Sequence, residues 1–233
     1  MTGMATNFPK ITVLMPVYNG APYLNEAMES ILQQSFTDFE FLIINDGSTD
    51  ASVRIINSYT DHRIRLIENP RNIGLVYTLN RGIDLAKGEF LARMDCDDIS
   101  LPERLAKQLT FMERHLEVGA CGSWVEYFMG GQLVLQLPIN DAEIKRALPL
   151  YNPMAHPAVM IRTAIIRSSQ LYYDPEYKDV EDYEFWTRLA TITCFANLPE
   201  ILLKYRIHPE QIGRRHSGKQ AEAVEKLLAK LYG

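Results

Sequence analysis

The stretch GEFLARMDCDDISLPER, residues 88–104, decides how the rest of the chain is read. An apolar run, Phe90-Leu91-Ala92, passes through Arg93 and Met94 into three carboxylates, Asp95, Asp97 and Asp98. Ser100-Leu101-Pro102-Glu103 then reads as a helix start: Ser100 can cap, Pro102 suits a first turn and Glu103 completes a capping box. A buried strand therefore ends in a cluster of acids just before a helix. Open α/β sheets bind ligands there, outside the carboxyl ends of their strands. Three acids within four residues repel one another unless a cation or hydrogen-bond donors offset them, and hard oxygen ligands suit magnesium or manganese. The alternative is a solvated acidic turn that merely caps the helix.

Working outward, the same grammar repeats. Residues 11–17, ITVLMPV, form a nearly continuous apolar run, as expected of a strand buried on both faces in a parallel sheet. Tyr18-Asn19-Gly20 makes a turn, and Leu24, Ala27, Met28, Ile31 and Leu32 follow at helical spacing. A second buried strand, Phe39 to Ile44, ends in Asn45-Asp46-Gly47-Ser48-Thr49-Asp50, and Val53, Ile56 and Tyr59 mark a helix. Ile64 to Ile67 is a third strand. Leu75, Leu79, Ile83 and Ala86 form the next helical stripe, with Gly88 placed as its C-terminal cap. After the acids, Leu105, Leu109, Met112 and Leu116 share one helix face. Strand–helix four times over predicts an α/β fold with a mostly parallel sheet flanked by helices.

After Gly119 the rhythm changes. Ala120 to Phe128 is a strand, Gly130-Gly131 a hairpin turn into Gln132–Leu137, and Asp141 to Leu148 a short helix. A strand is expected over His156–Arg162, a short helix over Thr163–Ser169 and a longer helix over Val180–Ala190, with Tyr183, Trp186, Leu189 and Ala190 as its core face. A last strand spans Ile201–Ile207. Gln220 to Leu231 is amphipathic, with Ala221, Val224, Leu228 and Leu231 on one face. No linker or repeat appears, so 1–233 reads as one domain: a nucleotide-binding half over about 8–118, an acceptor and catalytic half over about 119–212 and a C-terminal helix over about 213–233. That helix, carrying Lys219, Lys226 and Lys230, is expected on its own domain, with a peripheral membrane or dimer contact as the alternative.

The chain has 233 residues, 47% of them hydrophobic, enough to fill a real core. No apolar run is long enough to span a bilayer, and Met1–Lys10 lacks the charged-then-apolar pattern of a signal peptide. The net charge of −5 argues against a nucleic-acid surface. Cys96, Cys121 and Cys194 fit neither a zinc spacing nor a disulfide framework, which points to a reduced, cytoplasmic chain.

No GxGxxG follows the first strand and no GxxxxGK[ST] occurs, so neither a dinucleotide site nor a P-loop is supported. Asp46, at the end of the second strand, suits a ribose or base contact, although Asn45-Asp46-Gly47 alone is a turn signature. Glu181-Asp182 opens a helix; it is either an acidic first turn favoured by the helix dipole or the seat of a general base. His208, in Tyr205-Arg206-Ile207-His208-Pro209, is either a structural hydrogen-bonder or part of a diphosphate and metal site with Arg206, Gln211, Arg214 and Arg215 around it. His156, before Pro157, reads as structural.

Taken together, Pro16-Val17-Tyr18-Asn19, Asn45 to Asp50, Asn72-Ile73-Gly74-Leu75, Met94 to Asp98, Glu181-Asp182-Tyr183 and Tyr205 to His208 resemble the family 2 glycosyltransferases of the GT-A fold. The resemblance runs from about Ile11 to Gln211 and is to the bacterial enzymes of surface-polysaccharide synthesis, without the transmembrane segments or Gln-x-x-Arg-Trp motif of processive synthases. It implies a Rossmann-like central sheet with a mixed acceptor-side half, and an inverting transferase of the EC 2.4 class. The donor would be a nucleotide-diphosphate sugar, most often UDP-linked, and the acceptor a glycan or lipid-linked hydroxyl. Asp46, with Pro16, Val17, Tyr18, Asn19 and Gly74, would bind the nucleotide, and Asp95 the ribose. Asp97 and His208 would hold Mn2+ or Mg2+. Asp182 would be the base, with Glu181 beside it, and Asp98 would face the donor sugar or support its neighbours. The cysteine usage and the C-terminal helix together lead us to expect a cytoplasmic chain, or one lying peripherally at the inner face of the membrane. The reading set against an active transferase is an inactive nucleotide-sugar-binding subunit of a larger assembly.

Overall fold

The computed structural model describes residues 8–128, 131–209 and 217–232. Among these, nine strands join in one sheet. The strands are β1 (Ile11–Val17), β2 (Phe39–Asn45), β3 (Ile64–Glu68), β4 (Phe90–Arg93), β5 (Ile99–Ser100), β6 (Val118–Phe128), β7 (Leu133–Leu135), β8 (Met160–Arg162) and β9 (Cys194–Arg206). The helices are α1 (Leu24–Leu32), α2 (Ser52–Ile56), α3 (Leu75–Leu85), α4 (Arg104–Arg114), α5 (Asp141–Ala147), α6 (Thr163–Ser168), α7 (Glu181–Leu189) and α8 (Ser217–Tyr232). The strand order is β3-β2-β1-β4-β8-β6-β9-β5, with β7 paired to β6. The first four strands are mutually parallel, as their apolar runs predicted; β8 enters antiparallel and makes the second half mixed.

Because side chains alternate along a strand, each strand feeds two cores. Ile11, Val13 and Met15 of β1 and Phe41 and Ile43 of β2 pack against α1 and α4 on one face. Leu14, Leu42 and Ile44 pack on the other with α3 and α7, where Phe185, Trp186 and Phe195 form an aromatic block.

The topology fixes the site. Parallel pairing sets the ends of β1, β2 and β4 side by side: Asp46 N–H donates to Val17 O (2.7 Å) and Met94 N–H to Leu14 O (3.0 Å). Two reversals, β4 to β8 and β8 to β6, turn β6 and its parallel partner β9 to point the same way as β4. The end of β9 therefore arrives at the same edge, as does the segment leading into β8. Strand β5 pairs with the last turns of β9 (Ile99 with Lys204) and stitches the acid loop to it.

Several local expectations need correction. Ser100 lies in β5 and caps nothing: α4 starts at Arg104, with no side-chain cap from Glu103. Gln34, from the end of α1, does that work by accepting Leu105 N–H (3.1 Å) and donating to Leu101 O (2.8 Å). Leu116 falls beyond α4 and is 77% exposed. Gly88 is no left-handed cap; it lies against the backbone of Ile11 and Thr12, where a Cβ has no room. His156–Ala158 forms a 3-10 turn, leaving β8 only three residues. Strand β9 starts seven residues earlier than expected. Ala190 is only partly buried, and Phe185 joins the core face of α7 instead. On α8 the core contact is Leu227, with Val224 and Leu228 partly buried against it and Ala221 exposed. Gly130, Gln211, Arg214, Arg215 and the side chains of Lys219 and Leu231 lie outside the described residues.

Candidate active site

The loop after β4 carries Asp95, Asp97 and Asp98, each with a carboxylate oxygen within 4.8 Å of the others. That crowding is offset from three sides. Arg93, 5% exposed, forms an ion pair with Asp95. Arg206 donates its backbone N–H to Asp98 Oδ1 (2.8 Å) and its Nε–H to Asp97 O (2.6 Å). His208 Nε2 lies 2.8 Å from Asp97 Oδ2. The Arg206 guanidinium is itself held between the Tyr23 and Phe128 rings, 4.6 Å from each centroid, and pairs with Glu26. Beneath the loop, fully buried Arg104 donates to Arg93 O (2.7 Å); burial and the Arg93 charge bring it down to about 9.

Asp98 is 1% exposed. Burial, then the charges of Asp95 and Asp97, push its carboxyl well above the ordinary range. Its Oδ2 has no hydrogen-bond partner among the described residues. Burial also raises Asp95, against the opposing pull of Arg93. A buried carboxyl oxygen without a donor, an Asp–His pair and a partly exposed third acid form a donor set of oxygens and one imidazole. That set fits a divalent cation such as Mn2+ or Mg2+. Asp95, Asp97 and Asp98 thus cluster, and His208 joins them from beyond the end of β9.

Asp46 is 3% exposed. Its carboxylate accepts from Asn69 Nδ2 (2.7 Å) and from the backbone N–H groups of Ile73 and Gly74 (2.9 Å each). Asp46 therefore folds the 69–74 loop onto the sheet edge, and Gly74, at φ +95°, occupies a conformation that needs glycine. The rest of the Asn45–Asp50 motif ties down the turn after β1. Ser48, Asp50 and Ser52 accept the N–H groups of Asn19, Ala21 and Gly20, each at 3.0 Å. Pro16 and Val17 are buried, so their side chains belong to the core. Tyr18 and Tyr77 are about half exposed, and Arg71, Asn72, Ile73 and Tyr77 line an open cavity of about 530 Å³.

On the acceptor side, Glu181 and Asp182 open α7. Glu181, 7% exposed, is pushed up to about 7 by burial and then by Asp182. Burial also raises Asp182. Hydrogen bonds from Tyr183 N–H (2.7 Å) and Asn152 Nδ2 (2.8 Å), and the Arg93 charge, oppose that rise. His156 is buried, 2.8 Å from Tyr173 Oη; burial and Arg93 hold it well below its usual range, so it stays neutral and structural as expected.

Sequence reasoning named Arg206 only as a diphosphate contact beside His208, not as a donor to the acid loop, and missed Arg93 and Asn152 altogether. An arginine in an otherwise apolar strand is a usable signal, since a buried cation needs a partner. Asn152, alone in a loop, gave none. On α8, Leu227, Val224 and Leu228 pack on the domain, and Gln220 Nε2 donates to Asp179 O and Lys230 Nζ to Tyr177 Oη, both at 2.8 Å. Among the described residues no helix is long and apolar enough to cross a membrane.

This arrangement can be set beside known proteins. Residues 12–166 match the profile described as Glycosyl transferase family 2. An uncharacterized glycosyltransferase of Haemophilus influenzae is 32% identical over 234 residues, 95% of this chain and 72% of that protein. The amylovoran biosynthesis glycosyltransferase AmsE of Erwinia amylovora is 32% identical over 211 residues, 88% of this chain and 79% of AmsE. Among solved structures, S. aureus TarS 1–349 in complex with UDP-GlcNAc superposes with a TM-score of 0.79 at 22% identity, over 95% of this chain and 66% of that one. The mannosyltransferase PcManGT of Pyrobaculum calidifontis, in complex with GDP-Man and Mn2+, gives 0.68 at 17% identity, over 96% and 69%. The two solved chains share the fold, and the profile and the relatives settle the rest: this chain belongs to glycosyltransferase family 2, related to the bacterial enzymes of exopolysaccharide and O-antigen synthesis.

Proposed function

We propose that this enzyme moves a sugar from a nucleotide-diphosphate donor, UDP-linked in the first instance, to a hydroxyl of a glycan or lipid-linked acceptor, and inverts the anomeric centre. The observation that carries this reading is the clustering of Asp95, Asp97 and Asp98 with His208 paired to Asp97, and the Arg93 charge that acts on both Asp95 and the Asp182 carboxylate of α7. TarS, which has the same fold, was solved with UDP-GlcNAc, and AmsE acts in amylovoran biosynthesis.

In this reading Tyr18, Asn19 and the 71–77 wall receive the nucleotide, Asp46 holds that wall in place and Asp95 meets the ribose. Asp97 and His208 would hold Mn2+ or Mg2+, with Asp98 behind them. A bound divalent cation offsets the negative charge that develops on the diphosphate as it leaves. Asp182 takes the proton of the acceptor hydroxyl. The hydroxyl oxygen then bonds to the anomeric carbon, while the bond from that carbon to the diphosphate breaks and its electron pair leaves with the nucleotide. One displacement gives inversion. Positioned base catalysis of this kind contributes about 10²–10⁴-fold. Because burial raises Asp182, the acidic limb of the rate profile should lie above that of an ordinary aspartate. Asp182→Asn should lower transfer by about 100-fold or more while donor affinity, measured by titration calorimetry, stays within a few-fold. Wild-type turnover in that variant removes Asp182 from the mechanism.

A further inference from the structure

We propose that Asn152 is the positioning residue of the Asp182 carboxylate, setting its plane so that a lone pair faces the acceptor hydroxyl. The inference rests on the reading of Asp182 as the general base. Asn152 lies in the loop between α5 and β8, and the antiparallel entry of β8 brings that loop to the site edge. Its Nδ2 donates to Asp182 Oδ2 at 2.8 Å. Its Oδ1 accepts Met154 N–H at 3.2 Å. That second bond decides the amide's orientation: the oxygen is held by a backbone donor, so the NH2 group has to face the carboxylate.

The loop around it is pinned at several points. Asn197, 2% exposed on β9, donates to Pro153 O (3.1 Å), Tyr151 N–H donates to Ala147 O (3.0 Å), and the Tyr183 hydroxyl of α7 donates to Leu148 O. Loop and helix are therefore fixed to each other, and Asn152 reaches Asp182 from a rigid base. Asp182 Oδ1 accepts Tyr183 N–H, so among the described residues each carboxylate oxygen has a donor from another residue. Among the described residues Asn152 makes the only side-chain hydrogen bond to Asp182. The other charged or titratable groups acting on Asp182 are Arg93 from β4, Glu181 beside it on α7 and Tyr173 from the preceding segment. A donor to the ionised carboxylate favours the form that a base needs and opposes the burial that works against it.

The test uses two variants and two readouts. Asn152→Asp keeps the shape of the side chain and the acceptor for Met154 N–H and replaces only the donor; Asn152→Ala removes both. Carbon-13 titration of the Asp182 carboxyl, assigned with Asp182→Asn, should move up by about one pH unit in Asn152→Ala and further in Asn152→Asp, where a like charge is added. Release of UDP from UDP-GlcNAc with water as acceptor should lose about 10-fold or more in kcat, with the donor KM within two-fold and the acidic limb moved upward. An Asp182 titration unmoved in both variants overturns the inference, and so does unchanged kcat where Asp182→Asn is inactive. If Asp182→Asn itself releases UDP at the wild-type rate, the base reading fails, and the carbon-13 titration still decides whether Asn152 governs this carboxylate. If Asn152→Ala does not fold, the Asn152→Asp variant decides.

Discussion

Glu181 offers a prediction about stability that is independent of substrate. Its carboxyl is 7% exposed and moves from an ordinary 4.5 to about 7 in the folded chain, by burial and by its neighbour Asp182. A raised acid binds its proton more tightly in the folded state. The stability this confers is present below about pH 4.5 and is lost as pH rises through about 7. Each pH unit of displacement is worth about 1.4 kcal/mol, so ionising Glu181 costs the fold up to about 3 kcal/mol at pH 8. Glu181→Gln keeps the shape and cannot ionise. Guanidinium denaturation of both proteins at intervals from pH 4.5 to 8.5 provides the measurement. At pH 4.5 the two should be within about 0.5 kcal/mol, the ordinary scatter of a mild substitution. By pH 8 the variant should be the more stable by about 2–3 kcal/mol. The other raised acids, Asp95, Asp98 and Asp182, are present in both proteins and largely cancel in the difference. Parallel stability curves across that range would refute the claim that Glu181 is held protonated by its surroundings.

Three further outcomes follow from the same geometry. Asp46→Asn turns one buried acceptor into a donor facing a donor; it should cost about 2–3 kcal/mol, a fall of roughly 5–10 °C in Tm by calorimetry, and weaken nucleotide binding; an unchanged Tm would contradict the role given to Asp46 in holding the 69–74 loop. Arg206→Met keeps the apolar volume between Tyr23 and Phe128 but loses the link to Asp97 O; the fold should persist while metal-dependent nucleotide affinity falls about tenfold, a loss of about 1.4 kcal/mol by titration calorimetry. Leu227→Ala, at a position 1% exposed, should cost about 2 kcal/mol in chemical denaturation and leave donor affinity unchanged; a neutral result would mean that α8 is not docked as described.

What could be read in advance divides along physical lines. The cores of β1, β2 and β4 are continuous apolar runs ended by turn residues, a local signal, and the alternation of strand and helix carried the parallel half of the sheet. Strand β9 hid its first half because Pro199 and Glu200 fall where its pairing with β6 skips register, and proline inside a run argues against a strand unless a bulge receives it. The capping box at Ser100 failed for the opposite reason: a plausible local cap was displaced by Gln34, 71 residues upstream of the N–H it accepts. On α8 the apolar stripe was turned towards Ala221, whose small methyl group weighs little beside the burial of Leu227. At the site the acids and His208 were visible as chemistry at strand ends. Their neutralisation by Arg93 and Arg206, the duty of Asp46 as a loop anchor, and Asn152 depend on contacts between distant segments, which periodicity and spacing do not encode.

The central claim is that Asp97 and its neighbours form a nucleotide-diphosphate site that needs a divalent cation, and the most direct measurement is titration calorimetry of UDP, GDP and dTDP with and without Mn2+. The account predicts binding of one of these nucleotides, UDP first, that requires the metal and is lost in Asp97→Ala while the fold, checked by circular dichroism, is retained. Binding of equal strength without metal, or binding that survives in Asp97→Ala, would contradict it.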